Sequence, residues 1–194
     1  MTRRAFIIHG YQGYPEEAWF PWLRRELEMA GYEVALPRMP NPDHPVIPEW
    51  IGFISGLVGE PDAATVLVGH SIGGQAVLRY LECLGASCKA VGTTVLVATH
   101  FPARPLPGDP ERRIDDKVLV PWFTTGVDPA MVRMAAGRCT VILSDDDPYL
   151  SLEEVKPGFE TNLHPRIVIE HGKGHMNDES GITELPSALQ AVTG

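Results

Sequence analysis

Residues 69–73 read Gly-His-Ser-Ile-Gly, a G-x-S-x-G pattern that places Ser71 between two glycines. Residues 65–68 form an apolar and β-branched run typical of a buried strand, and residues 75–81 have helical spacing. In a strand–turn–helix context this serine lies at the apex of a strained turn, where its hydroxyl can act as a nucleophile. That context favours a nucleophile over an incidental serine. A dinucleotide-binding loop is the weaker alternative, because no G-x-G-x-x-G follows any predicted strand.

A serine hydroxyl needs a base within hydrogen-bond reach, and the base needs a third group that orients it. In parallel sheets that carry G-x-S-x-G, the chain order is serine, acid and histidine, each in a loop after a successive strand. Residues 144–148 read Ser-Asp-Asp-Asp-Pro after one predicted strand, and residues 171–175 read His-Gly-Lys-Gly-His after the next. The sequence therefore predicts a Ser-Asp-His triad for nucleophilic catalysis.

The acid is one of three consecutive aspartates. We favour Asp147, because it precedes a proline that would fix the turn presenting its carboxylate. Asp145 and Asp146 stay open as alternatives on the sequence alone. The non-catalytic alternative is a polar turn with three solvated carboxylates, a description that can hold for two of them in any case.

The base is one of two histidines in the glycine-rich loop. We favour His175 over His171, because Gly172 and Gly174 make the loop compact enough to return the later histidine over the sheet edge. Paired metal ligands are an alternative, but this loop is not a helix face and no carboxylate-plus-histidine ligand set accompanies it. We therefore predict neither a metal nor a cofactor. His70, beside the nucleophile, is expected to be a buried, hydrogen-bonded neighbour rather than a second base.

Two backbone N–H groups are needed to stabilise the negative charge that develops on a substrate carbonyl oxygen. One is predicted at Ile72, directly after the nucleophile, where the dipole of the following helix helps. The other is predicted at Tyr11, after the His9-Gly10 pair that ends the first strand. Gln12 is the alternative for this second donor.

Short strands alternate with helices along the whole chain. Strands are predicted at residues 5–8, 32–36, 65–68, 90–98, 140–143 and 166–169, and helices at 16–30, 49–58, 75–81, 128–137 and 182–192. Such alternation implies a parallel sheet covered on both faces. We predict an α/β fold: a three-layer α/β/α sandwich around a mostly parallel six-stranded sheet, with strand order about 2-1-3-4-5-6 and the Ser71 strand at its centre.

Two proline-rich segments interrupt the alternation, and each carries five prolines. Residues 37–48 are predicted to form an ordered surface loop at the carboxyl edge of the sheet. Residues 99–127 suit a small cap or lid over the site, with an ordinary excursion loop as the alternative. Trp122 and Phe123 in this segment are candidates for an apolar acyl pocket or for the core. The chain, residues 1–194, is otherwise predicted to be one domain.

Composition limits the class of partner. The net charge is -9, and no basic cluster is placed to follow phosphates, which argues against nucleic acid and anionic membranes. No apolar run is long enough to cross a bilayer, and the apolar run after the first arginines is too short for a signal peptide. Three cysteines without a framework spacing predict reduced thiols and a cytoplasmic location. The sequence does not set the oligomeric state.

Further motifs extend the pattern across the chain. They are His-Gly-Tyr at 9–11, Trp-Phe-Pro-Trp-Leu at 19–23, Leu-Pro-Arg-Met-Pro-x-Pro at 36–42, Gly-His-Ser at 69–71, Ser-Asp-Asp-Asp-Pro at 144–148, and Gly-His-Met-Asn at 174–177 before Glu-Ser-Gly at 179–181. On these motifs the chain resembles the α/β-hydrolase superfamily, and more narrowly the small serine hydrolases of the YdeN and retinoblastoma-binding-protein type.

The resemblance implies a triad of Ser71, Asp147 and His175, and a sheet that lacks the first antiparallel strands of larger hydrolases. The chain departs from the pattern at Ser151, where many hydrolases have a proline. It departs again at residues 157–158, Pro-Gly, which are expected to interrupt the helix usually found between acid and histidine.

Functions of different classes follow from these residues. The leading expectation is a serine hydrolase that cleaves a carboxylic ester, thioester or amide of a small acyl substrate through an acyl-enzyme on Ser71. The alternative is a protein-interaction module with a vestigial site, which the resemblance keeps open because some members are described through partner binding. Acyl transfer to an acceptor other than water would use the same three residues.

Overall fold

Six strands pair into one sheet in the computed structural model, which describes residues 2–102 and 116–194. The strands are β1 (Arg3–Ile8), β2 (Tyr32–Ala35), β3 (Thr65–His70), β4 (Thr93–Val97), β5 (Arg138–Ser144) and β6 (Arg166–Glu170). Their order is β2-β1-β3-β4-β5-β6, and every neighbouring pair is parallel. The predicted sheet and its strand order are confirmed, with the Ser71 strand between β1 and β4.

The described part of the chain contains seven α-helices. They are α1 (Phe20–Met29), α2 (Ile47–Val58), α3 (Ile72–Ala86), α4 (Asp116–Thr124), α5 (Pro129–Ala135), α6 (Leu152–Asn162) and α7 (Pro186–Thr193). Helices α1 and α7 contribute to one apolar cluster, whereas α2 to α6 contribute to the other. The predicted three layers are therefore present.

Strand β3 shows why helices cover both faces of the sheet. All six of its residues are buried. Because side chains alternate along a strand, Leu67 enters the cluster of α2 to α6, and Val66 and Val68 enter the cluster of α1 and α7. A strand that is apolar on both faces must be central, and its carboxyl end places Ser71 at the middle of one sheet edge.

Two helices begin four residues later than the sequence predicts. Helix α1 begins at Phe20 rather than at residue 16, because Glu17 N–H donates to Tyr14 O at 3.2 Å and Phe20 N–H to Glu17 O at 3.1 Å, forming turns instead. Helix α7 begins at Pro186 rather than at residue 182. Pro186 is its first residue, where the missing N–H costs nothing.

Two helices contain a proline that was expected to prevent regular structure. The predicted interruption at Pro157 is wrong, because α6 continues through it. Likewise Pro121 lies inside α4, within the segment predicted to be irregular. Each proline removes one backbone hydrogen bond. Burial of Phe159 in α6 and of Trp122 in α4 offsets that loss, since both side chains are fully inaccessible to solvent.

Residues 103–115 of the predicted cap lie outside the described residues. The single-domain organisation and the cap stay predictions. None of the helices in the described ranges has the length and apolar character that a bilayer span requires.

Candidate active site

Ser71 occupies the turn between β3 and α3. Its φ of 54° and ψ of -122° lie in a region that side-chain-bearing residues rarely adopt. The flanking glycines allow this close approach: a Cβ at Gly69 would lie 2.7 Å from the α3 backbone, and one at Gly73 would lie 2.3 Å from Ile8 O. Ser71 N–H donates to Val97 O at 2.9 Å, which ties the turn to β4. The G-x-S-x-G pattern thus has a local steric cause.

His175 lies between the serine and an acid. Its Nε2 is 3.0 Å from Ser71 Oγ, and its Nδ1 is 2.8 Å from Asp147 Oδ2. A carboxylate only accepts, so His175 Nδ1–H donates to Asp147 and Nε2 is left to accept from the Ser71 hydroxyl. The His175 side chain is 10% exposed and the Asp147 side chain 2%. The structure therefore brings the three predicted side chains into one hydrogen-bonded chain, partly shielded from water.

The two neighbouring aspartates face other groups. Asp145 accepts from His171 Nδ1–H at 2.6 Å, an interaction that lowers the pKa of the Asp145 carboxyl and raises the pKa of His171. Asp146 accepts from Ser144 Oγ–H at 2.7 Å and from Gly174 N–H at 2.8 Å, and these bonds lower the pKa of Asp146. Both carboxylates brace the histidine loop, and neither reaches the imidazole beside the serine.

The segments that carry the predicted N–H donors lie next to the serine. Ile72 is the first residue of α3, so its N–H has no acceptor within the helix and points out of the N-terminal end. Gly10 packs against the nucleophile, because a Cβ there would lie 3.0 Å from Ser71 Cβ. Gln12 N–H already donates to a carbonyl of the proline-rich loop at 2.9 Å, which removes the alternative second donor. Ile72 and Tyr11 remain the predicted pair.

His9 joins the loop after β1 to the proline-rich loop. Met39 N–H donates to His9 Nε2 at 2.9 Å, so that nitrogen carries no proton, and His9 Nδ1–H donates to Gly10 O at 2.9 Å. The ring is buried, and burial lowers the pKa of His9. The sequence offered no pattern that distinguishes His9 from a structural residue, and both ring nitrogens bond to the main chain.

His70 is buried beside Ser71, as the sequence predicts. Its Nε2–H donates to the main-chain oxygen of His175 at 2.8 Å. Burial, together with the neighbouring His175, lowers the pKa of His70 to about 3. The ring is therefore neutral near neutral pH.

A cavity of about 500 Å³ opens at Ser71. Its apolar lining residues are Ile72, Ala98, Leu119, Phe123 and Leu150, and its carboxylate lining residues are Glu17, Asp178 and Glu179. Phe123 stacks on His100, with ring centroids 4.4 Å apart and planes 10° apart. Trp122 is instead fully buried against Trp50. Of the two aromatic candidates, only Phe123 faces the cavity.

The sequence missed several polar residues of the cavity. They are Tyr14, Glu17, Tyr149, Asp178 and Glu179. Each of them follows a predicted site residue by a few positions in the chain. This closeness in sequence was the signal that could have identified them. Within residues 2–102 and 116–194, no group of three His, Cys, Asp or Glu side chains is placed to hold a metal ion.

Comparisons with known proteins identify the family of the chain. The model of the serine hydrolase family matches residues 5–193. The hydrolase YdeN of Bacillus subtilis (strain 168) is 32% identical over 197 residues, which is 100% of this chain and 96% of that protein. The serine hydrolase RBBP9 of Rattus norvegicus is 26% identical over 195 residues, which is 97% of this chain and 93% of that protein.

Solved structures show the same architecture. The crystal structure of the ydeN gene product from B. subtilis has a TM-score of 0.85 at 28% identity and covers 99% of this chain and 97% of its own. Est1E from Butyrivibrio proteoclasticus, solved with bound ferulic acid, has a TM-score of 0.68 at 18% identity and covers 97% of this chain and 86% of its own. At this identity the similarity shows the fold alone. With a family model matched from the first strand to the last helix, and a relative of this identity along its full length, the chain belongs to the serine hydrolase family and has the α/β-hydrolase fold.

Proposed function

We propose that this protein hydrolyses a carboxylic ester of a small substrate through an acyl-enzyme on Ser71, with Ser71, His175 and Asp147 as its triad. The observation that carries the proposal is the hydrogen-bonded chain from Ser71 Oγ through His175 to Asp147, at 3.0 and 2.8 Å, at a cavity of about 500 Å³. The strained turn at Ser71 is the nucleophile elbow of this mechanism.

The acylation step follows from the tautomer of His175. Nε2 takes the Ser71 proton while Oγ attacks the ester carbonyl carbon, and the Asp147 carboxylate stabilises the imidazolium that forms. The N–H groups of Ile72 and Tyr11 stabilise the negative oxygen of the tetrahedral intermediate. Collapse breaks the ester bond, and His175 gives its proton to the departing alcohol.

Deacylation uses the same groups in reverse order. Water attacks the acyl carbonyl while His175 Nε2 takes its proton, and the carboxylic acid leaves as Ser71 regains its hydrogen. The apolar cavity residues, including Leu119 and Phe123 of α4, suit the acyl part of the substrate. In this proposal α4 belongs to the cap predicted over residues 99–127 and forms one wall of the acyl site.

A fluorophosphonate probe and a panel of nitrophenyl esters of rising chain length test the proposal. Wild-type protein should be labelled and should release nitrophenol, and Ser71→Ala should do neither. Ser55→Ala is the matched control, because Ser55 is exposed on α2. Folded wild-type protein that neither reacts with the probe nor turns over would overturn the proposal and favour an interaction module.

The product distribution separates related chemistries. Aminoacyl amides and thioesters, assayed beside the nitrophenyl esters, define which acyl bond is cleaved fastest. Free carboxylic acid as the product supports hydrolysis. An acyl product that appears only when an alcohol or amine acceptor is added, and never as free acid, would instead indicate an acyltransferase.

A further inference from the structure

The loop that carries His175 has a left-handed backbone conformation on both sides of that residue. Gly174 has a φ of 54° and Met176 a φ of 53°. This left-handed region is accessible to glycine but costs energy for a residue such as methionine. Such a conformation persists only when surrounding contacts impose it. Hydrogen bonds to two neighbouring carbonyls, those of His175 and Met176, hold the loop.

The first contact comes from His70. A carbonyl oxygen only accepts, so the 2.8 Å contact to His175 O requires the proton on His70 Nε2. His70 Nδ1 is buried, with no hydrogen-bond partner among the described residues. The rings of Trp19 and Phe20 pack edgewise on the imidazole, with centroids 6.2 and 5.7 Å away, and prevent it from turning.

The second contact acts on the next carbonyl. Trp19 Nε1–H donates to Met176 O at 2.9 Å. Two residues further on, Asp178 accepts from Ala18 N–H at 2.7 Å and from the Tyr14 hydroxyl. Consecutive carbonyls of the histidine loop are thus held by β3 and by the residues before α1.

We propose that His70 is a positioning residue, whose Nε2–H holds the His175 carbonyl and thereby keeps the His175 ring within hydrogen-bond distance of Ser71. The proposal rests on the proposed function, because its kinetic effect requires His175 to act as the base. His70 is 3% exposed and does not line the cavity, so it does not touch the substrate. Its removal should slow bond formation without weakening substrate binding.

Two variants of similar size separate the hydrogen bond from the packing. His70→Gln keeps an N–H donor where Nε2 stands, whereas His70→Met fills the space without a donor. A displacement of about 1 Å in a reacting group can cost about 10²-fold in rate. We expect His70→Met to lower kcat by up to about 10²-fold with KM unchanged, and His70→Gln to keep most of the wild-type kcat.

A structural measurement is made on the same variants. Amide hydrogen exchange of the peptide spanning residues 173–178 should accelerate in His70→Met and not in His70→Gln. This measurement needs no turnover. An inactive wild-type protein would therefore contradict the proposed function, while the effect of His70 on the loop could still be measured. His70→Asn, whose shorter amide falls short of the His175 carbonyl, is measured in parallel in case His70→Met does not fold, and should behave like it.

The proposal is overturned if His70→Met, or His70→Asn in its place, keeps both wild-type kcat and wild-type exchange. It is equally overturned if the Gln variant loses as much kcat as the Met variant, since the retained donor would then have no effect.

Discussion

Replacing Asp147 with asparagine tests how the acid controls the protonation of His175. Asp147 Oδ1 accepts from the N–H groups of Tyr149 at 2.8 Å and Leu150 at 3.1 Å. These two donors require an oxygen, so the asparagine must place its NH2 group where Oδ2 now faces His175 Nδ1. A donor there forces the imidazole proton to Nε2, and the Ser71 hydroxyl then meets an N–H instead of a base.

The expected loss is large because the geometry stays intact while the tautomer reverses. The same substitution of the acid in a serine protease lowers kcat by about 10⁴-fold. That factor corresponds to about 5.5 kcal/mol of activation free energy. We expect Asp147→Asn to lose kcat for a nitrophenyl ester on this scale and to react slowly with a fluorophosphonate, with a circular dichroism spectrum like that of the wild type.

The same run of the chain supplies two matched controls. Asp145→Asn and Asp146→Asn keep an oxygen for the N–H groups of Gly172 and Gly174, so both should retain near-wild-type kcat. The reasoning is refuted if Asp147→Asn stays within about tenfold of wild-type kcat. It is also refuted if either control loses as much activity as Asp147→Asn does.

Three further outcomes follow from the described contacts. Gly73→Ala should lower the free energy of unfolding by about 1–3 kcal/mol, because its Cβ would lie 2.3 Å from Ile8 O. Gly56→Ala has open space around the new Cβ and should raise the free energy of unfolding by about 0.5–1 kcal/mol. Equal stabilities of the two variants in urea denaturation would contradict this prediction. Folded His70 has a pKa of about 3 against 6.5 unfolded, so its contribution to stability is complete above pH 6.5 and is lost as the pH falls towards 3. Denaturation between pH 4 and 6 should therefore show a slope smaller by about 1.4 kcal/mol per pH unit in His70→Gln, and an unchanged slope would argue against the buried neutral ring. Phe123→Ala should enlarge the acyl cavity and raise kcat/KM for long relative to short nitrophenyl esters by about tenfold, and an unaltered chain-length profile would remove Phe123 from the acyl site.

The sheet and the serine turn were predictable because their causes are local. Apolar runs between turn residues specify the strands. The two glycines of the G-x-S-x-G pattern are required because neighbouring backbone lies too close to them to leave room for a Cβ. Turn chemistry favours Asp147 as the acid but leaves Asp145 and Asp146 open, because turn chemistry alone does not assign a direction to each side chain. The structure distinguishes them through contacts with a distant loop: Asp145 meets His171, and Asp147 meets His175.

Helix α4 shows what local composition cannot predict. Its segment contains Pro121 and follows a proline-rich stretch, a composition that favours irregular chain. The helix is stabilised from a distance: Trp122 packs on Trp50 of α2, and its Nε1–H donates to Pro45 O at 2.9 Å. Long-range burial overrides the local preference here, and no short sequence window contains both partners.

Two hydrogen bonds join the proline-rich loop to the segment after β1, and they limit how this enzyme can change. Met39 N–H reaches His9, and the carbonyl of Pro42 reaches Gln12, on either side of the predicted N–H donor at Tyr11. Residues 37–48 are thereby coupled to the segment expected to stabilise charge during the reaction. A substitution at residues 39–42 is therefore expected to disturb turnover as well as the loop itself, because the same two hydrogen bonds hold the segment around Tyr11.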